Sequence, residues 1–159
     1  MSIDGIGDLF NYIRYGDVKF ETIEPNLAKL NEMPNAGILI SVASMNYNAF
    51  NLLEIRDWTI LMSEKYNKVQ RLAGFDNCVV SPSYLSLATL SDDTRKHLIE
   101  FYTKNSIEDE FQYVINLLSN DFLGEEIHTQ WVEYTELLET VRGNKIVDIV
   151  PQLTKELIL

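Results

Sequence analysis

Apolar positions change period several times along the 159-residue chain, and each change marks an element. Ser2-Ile3-Asp4-Gly5 reads as a strand end running into a loop bracketed by Gly5 and Gly7. Residues 9–15 (LFNYIRY) then predict a short helix ended by Gly16. Phe20, Ile23, Leu27 and Leu30 recur at helical spacing, so a helix is expected over residues 20–32. Pro25 is tolerated in its first turn, and Met33-Pro34-Asn35 breaks it. Residues 36–44 (AGILISVAS) are apolar with little alternation, the pattern of a strand covered on both faces. Asn46 or Asn48 is placed to cap a helix over residues 49–65, whose apolar side chains lie nearly all round it. A second buried strand is expected over residues 75–80, ended by Ser81-Pro82, with residues 84–90 continuing as an extended loop.

The second half reads as helices. Ser91 caps one that runs to about residue 103, with Asp92 and Asp93 favourably placed in its first turn. Ser106 and Asp109 open another, with the stripe Ile107, Phe111, Val114, Ile115 and Leu118. Glu108-Asp109-Glu110 is then a solvated first turn. Ile127, Trp131, Tyr134, Leu138 and Val141 form the stripe of a long helix closed by Gly143. Residues 146–150 make a short apolar clip before Pro151, and residues 154–159 are apolar enough to dock. Strand end, helix, strand, helix, strand, helices is a β/α order with a parallel sheet and helical crossovers. With no repeat, low-complexity run or linker, the chain is expected to be a single domain.

Composition narrows the function classes. Hydrophobic residues at 46% and charged residues at 23% exclude long disorder and fibrous classes. Thirteen Lys plus Arg against 24 Asp plus Glu give a net charge of −11, which disfavours nucleic acid and an anionic membrane surface as partners. No run approaches the ~18 apolar residues of a membrane span. The single cysteine, Cys78, cannot form an internal disulfide, and by itself holds neither an iron–sulfur cluster nor a thiolate zinc site. A reducing, cytoplasmic setting is the expectation.

Most candidate chemistry has a plain structural explanation. His97 and His128 lie on different helices with no second histidine four residues away, so no metal site is expected. Neither Ser nor Cys sits in a nucleophile-elbow context, and Gly5-Ile6-Gly7 lacks the third glycine of a dinucleotide loop. No catalytic residue is assigned. Ser2, Asp4 and Arg14 stand apart, because β/α proteins build ligand sites from side chains at strand C-termini. Arg supplies a planar fork for a carboxylate, and a strand-end hydroxyl can anchor a ribose or carbonyl. The competing reading pairs Arg14 with a local Asp8 or Asp17.

Ser2-Ile3-Asp4-Gly5 with Tyr12-Ile13-Arg14-Tyr15-Gly16 resembles the "SIDG…YIR.G" passage of radical S-adenosylmethionine (radical SAM) proteins, especially those with a short C-terminal twitch segment. The likeness continues in order. Residues 40–46 (ISVASMN) followed by residues 52–58 are similar to the family's next barrel strand and helix, and residues 79–91 to its "SPEYLS…LP" loop. Residues 137–142 and 146–153 (IVDIVPQL) resemble its closing "LD..R….D.FP.L". The resemblance implies an α/β fold: a partial (β/α) barrel over residues 1–103, with few parallel strands, and a helical C-terminal extension over residues 104–159.

It implies function as well. Family members carry a CxxxCxxC loop that binds a [4Fe–4S] cluster, and a glycine-glycine-glutamate contact to the cofactor. Both precede the passage where this sequence starts to match. The resemblance therefore implies the C-terminal portion of a radical SAM enzyme, inactive alone. It would bind S-adenosylmethionine and the cluster only in complex with a complementary N-terminal barrel half, self-association being the other way to cover its edge. A split gene, a degenerate remnant or a truncated reading frame would each account for the arrangement. By family position Ser2 and Arg14 are cofactor-binding, and Asp4, Ser44 and Asn46 are substrate-facing. A non-catalytic interaction protein on a partial β/α layer is the alternative; a self-contained hydrolase or transferase is weaker, for want of a nucleophile. The substrate is not legible.

Overall fold

Parallel pairing needs a crossover that returns the chain to the starting end of the layer, and the helical periods supply it. In the computed structural model, which describes residues 1–72 and 74–158, α1 (Asp8–Ile13) and α2 (Ile23–Glu32) precede β1 (Ile38–Leu39). Helix α3 (Leu52–Lys65) then leads to β2 (Val69–Gln70). Strands β1 and β2 are parallel, with Ile38 opposite Val69 and Leu39 opposite Gln70. The N-terminal residues lie along the other edge of β1: Ile3 N–H donates to Ser41 O at 2.9 Å and Ser41 N–H to Met1 O at 2.8 Å. Further along, Ser44 N–H donates to Asn77 O and Val79 N–H to Ser44 O, both at 2.8 Å. Three extended segments thus lie side by side in chain order. The fold is mixed α/β and mostly helical.

The regular strands are shorter than the apolar pattern predicts. Within residues 36–44 only β1 is a strand, followed by single bridges at Ser41 and Ser44. Burial alternates there: Ile38, Ile40, Val42 and Ser44 are buried, whereas Leu39 is 62% exposed. Helices α2 and α3 pack on one face only, so the expected burial of both faces is corrected. Residues 75–80 form no regular strand; pairing starts earlier, at Val69, and continues only as the Ser44–Cys78 bridge. Phe75 N–H goes instead to Glu110 O at 2.9 Å.

Helix boundaries differ where side chains find tertiary partners. Helix α3 starts at Leu52 after a 3₁₀ turn at Asn46–Asn48, and its buried stripe is Leu52, Ile55, Thr59 and Met62, with Leu61 exposed. Neither Asn46 nor Asn48 caps it. The expected extended loop at residues 84–90 is two 3₁₀ turns, Ser83–Leu85 and Leu87–Thr89. Ser91 caps α4 (Asp92–Asn105) by accepting from Thr94 N–H. Helix α5 (Gln112–Leu118) begins later than expected because Glu108 and Asp109 adopt positive φ. Glu110 is not solvated: it is buried against Arg56, whose Nη1 donates to Glu110 Oε1 at 2.8 Å. Helix α6 (Glu125–Arg142) ends at Gly143 in the left-handed conformation (φ 73°), which costs a glycine least, and α7 (Ile146–Ile149) packs back on α1. Among the described residues no helix is long and apolar enough to cross a membrane.

The core joins both halves. Phe75 stacks on Phe111, and Phe111 packs on Tyr102, each with centroids 4.6 Å apart. Leu153 and Glu156 of the tail are buried, Ile158 is 70% exposed, and Leu159 lies outside the described residues. Glu156 accepts from Ser91 N–H at 2.8 Å, from Ser91 Oγ at 2.6 Å and from the Thr94 hydroxyl, tying the tail to the start of α4. Glu156→Ala strands these donors and is expected to cost about 2–3 kcal/mol. Thermal unfolding should read this as a fall of roughly 5–10 °C, with Glu156→Gln losing less.

Candidate functional site

The first and second extended segments end beside one another, and Asp4 joins them. Its carboxylate is almost wholly buried, so its charge has to be compensated locally. Oδ1 accepts from Ala43 N–H at 2.8 Å and from Ser2 Oγ at 3.3 Å. Oδ2 accepts from Arg14 Nε at 2.6 Å, and Arg14 Nη2 donates to Ser2 Oγ at 2.6 Å. Helix α1 is short, and Arg14 caps its C-terminal end, which brings the guanidinium back over the strand end it left. Ser2, Asp4 and Arg14 therefore form one cluster. The partner of Arg14 is Asp4, neither Asp8 nor Asp17.

Asn48 holds the same junction through the backbone. Its Nδ2 donates to Asp4 O at 3.0 Å and Ala43 O at 2.9 Å, and its Oδ1 accepts from Met45 N–H at 2.8 Å. Asn46 ties the end of the second segment to the two 3₁₀ turns that follow the third: Nδ2 donates to Tyr84 O at 2.8 Å and to Thr89 Oγ1 at 3.0 Å. Asn46 and Ser44 are fully buried and are not among the walls of the cleft beside this cluster. Asn48 reads as a helix cap by position; only the fold shows it as a staple between strand ends.

That cleft has a volume of about 280 Å³. Asp4, Arg14 and Ala43 form its floor, and Tyr134, Leu138 and Arg142 of α6 its roof, with Tyr47 and Leu85 between them. The α6 stripe reads from sequence as core, so its share of the site is not legible there. The one sequence signal is Arg142, a cation in the last turn before Gly143. Its Nη1 donates to Tyr12 O, and its guanidinium lies 4.9 Å from the Tyr12 ring centroid and 5.3 Å from that of Tyr15. Burial, with Glu139 adding, pushes the Tyr12 phenol up to about 12, while Arg142 opposes.

The remaining chemistry-bearing residues lie apart. Cys78 is half-buried and its thiol is pushed up to about 11, mainly by burial. His128 Nδ1 is 3.0 Å from Thr89 O, and His97 stacks on Phe101 one turn along α4. Among the described residues no three His, Cys, Asp or Glu side chains are grouped to hold a metal ion. Comparison of the chain with protein-family profiles, with curated proteins and with solved structures finds no match.

Asp4→Asn keeps an acceptor for Ala43 N–H but removes the charge facing Arg14; a loss of about 2 kcal/mol is expected by chemical denaturation. The pH dependence follows from the raised pKa values of Cys78 and Tyr12. Unfolded, the two groups ionise near 8.5 and 10, whereas the folded chain keeps both protons to about 11 and 12. Their contribution is complete below about pH 8.5 and is lost as pH rises through the folded values. Alkylation of Cys78 by iodoacetamide at pH 8 should run roughly two orders of magnitude slower than that of an unfolded control.

Proposed function

We propose that the chain is the C-terminal part of a (β/α) barrel of the radical SAM type, contributing part of an S-adenosylmethionine and substrate pocket and inactive alone. One observation carries this reading: three parallel segments adjacent in chain order, with Ser2, Asp4 and Arg14 gathered at their C-terminal ends, where α6 overhangs the face that α2 and α3 leave open. That face also bears Ser41, Ala43 and Gln70, with Leu39 exposed at 62%. Small and polar residues suit a ligand-lined lumen better than a dry sheet-to-sheet contact.

The residues present do not fit an iron–sulfur cluster. One cysteine supplies one thiolate, and burial keeps the Cys78 thiol protonated at neutral pH. The carboxylate end of S-adenosylmethionine does fit. Asp4 neutralises Arg14 from below, while the Arg14 side chain remains 44% exposed at the rim. The cleft lies just below the range of about 300–1,000 Å³ that encloses a drug-sized ligand, which suits a shared pocket. Bound there, the cofactor supplies the radical precursor. The chain's own work is binding and orientation: Arg14 and Ser2 hold the anionic end, Asp4 fixes the guanidinium plane, and α6 shields the cleft from water.

The partner that suits the open face is a barrel half carrying the CxxxCxxC loop. Ser2 bridges Ser41 through the backbone of Met1 and Ile3, so its own N–H and C=O point away from β1 towards a further strand. That free edge also favours the second reading, a non-catalytic module that pairs with another chain or with itself.

Two measurements test the proposal. After anaerobic reconstitution the chain alone should show no stoichiometric [4Fe–4S] absorption; mixed with the cluster-bearing half of a radical SAM barrel, it should bind S-adenosylmethionine. Arg14→Lys keeps the charge but loses the fork, and should weaken that binding about tenfold with the fold intact. A compact monomer by sedimentation, silent to hydrophobic dyes and unable to pair with such a half, would defeat this reading.

A further inference from the structure

We infer that Arg142 makes the cleft under α6 a binding site for a small carboxylate with an apolar or aromatic body, the acid held between the Arg142 and Arg14 guanidinium groups. The inference deepens the reading of this cleft as a ligand pocket, but its argument rests on charge and shape alone.

The charge count comes first. Three charged side chains line the cleft: Asp4, Arg14 and Arg142. Asp4 and Arg14 cancel at a contact of 2.5 Å, leaving Arg142 as a net positive charge in a chain whose total is −11. Among the described residues no carboxylate lies within ion-pair distance of Arg142. The carboxylate one turn before it, Glu139, accepts from Ile146 N–H at 2.9 Å and lines a separate cavity between α6 and the tail. Arg142 is thus a cation held in place by a carbonyl and two rings with most of its N–H donors unassigned. A planar fork in that state suits a planar oxyanion.

Shape narrows the ligand. At about 280 Å³ the cleft has room for a small organic molecule, and Tyr47, Tyr134, Leu85 and Leu138 give it apolar and aromatic walls between the charged ends. An inorganic anion would leave those walls uncovered. A neutral aromatic would leave the guanidinium donors without a partner.

The test uses 3-phenylpropanoate and its neutral isostere 3-phenylpropanamide, titrated into the 15N-labelled chain. The acid should bind with a dissociation constant in the millimolar range, perturbing the amides of Ala43, Leu85, Tyr134 and Leu138, and the amide at least tenfold more weakly. Arg142→Gln should erase that preference and Arg142→Lys should retain part of it. Because the acid and amide are compared on the wild-type chain, the test stands even where a variant fails to fold. Equal affinity for acid and amide, perturbations elsewhere, or no binding at 20 mM would overturn the inference. The probe contains no nucleoside, so acid binding to the chain with no S-adenosylmethionine binding in the mixture with the cluster-bearing half would uphold this inference and sink the cofactor reading, and the reverse result would do the opposite.

Discussion

A carboxylate buried to 1% exposure organises the strand-end cluster of this fold. An isolated charge in that position would be prohibitively costly, so Asp4 requires its donors in fixed places. Arg14 must return from the end of α1, Ala43 N–H must lie beside the first strand end, and the Ser2 hydroxyl must turn inward. Meeting these conditions sets the direction of α1 and the register of the first two extended segments. It also leaves Arg14 at the rim, where its outer edge meets solvent. Asn48 repeats the constraint in neutral form by holding the carbonyls of Asp4 and Ala43 together.

The layer behind this junction is finished on one side only. Alternating residues of the middle segment are buried on the side where α2 packs on β1 and α3 on β2, while Leu39, Ser41 and Ala43 alternate to the other side. Helix α6 closes the end of the layer rather than its face, bringing Tyr134, Leu138 and Arg142 over the strand ends from the far end of the chain. The cleft is therefore made of a floor fixed by a buried ion pair and a roof fixed by packing. An aromatic chain couples the two: Tyr12 meets Tyr47 edge-on at 5.9 Å, and Tyr47 meets Trp131 at 6.0 Å. The Tyr47 hydroxyl reaches Thr135 Oγ1 at 2.7 Å, so α6 is held by geometry as well as by area.

Two buried polar atoms in that chain, Tyr12 Oη and Trp131 Nε1, have no hydrogen-bond partner among the described residues. Each such group costs on the order of 1–3 kcal/mol. They lie in the aromatic wall that joins α1, Tyr47 and α6. The same wall carries Arg142, whose guanidinium is oriented by the Tyr12 carbonyl and by two ring faces instead of a carboxylate.

How much of this was legible in the sequence differs by residue. Local signals were enough for the β/α order, the Ser91 cap, the Gly143 stop and the grouping of Ser2, Asp4 and Arg14 near a strand end, because each depends on neighbours a few positions away. Tertiary contacts decided the rest. Residues 36–44 show little alternation, and only the placement of α2 and α3 settles which alternate side chains are covered. Glu110 reads as solvated until Arg56, 54 positions away, folds beside it. Asn46 and Asn48 read as caps because sequence shows an amide next to a helix but not the distant carbonyls it will meet. Arg142 and Asp4 are 138 positions apart in the chain and share one cleft only once α6 docks. Periodicity records what one element needs to bury; which elements share a site depends on long-range packing, which local pattern does not encode.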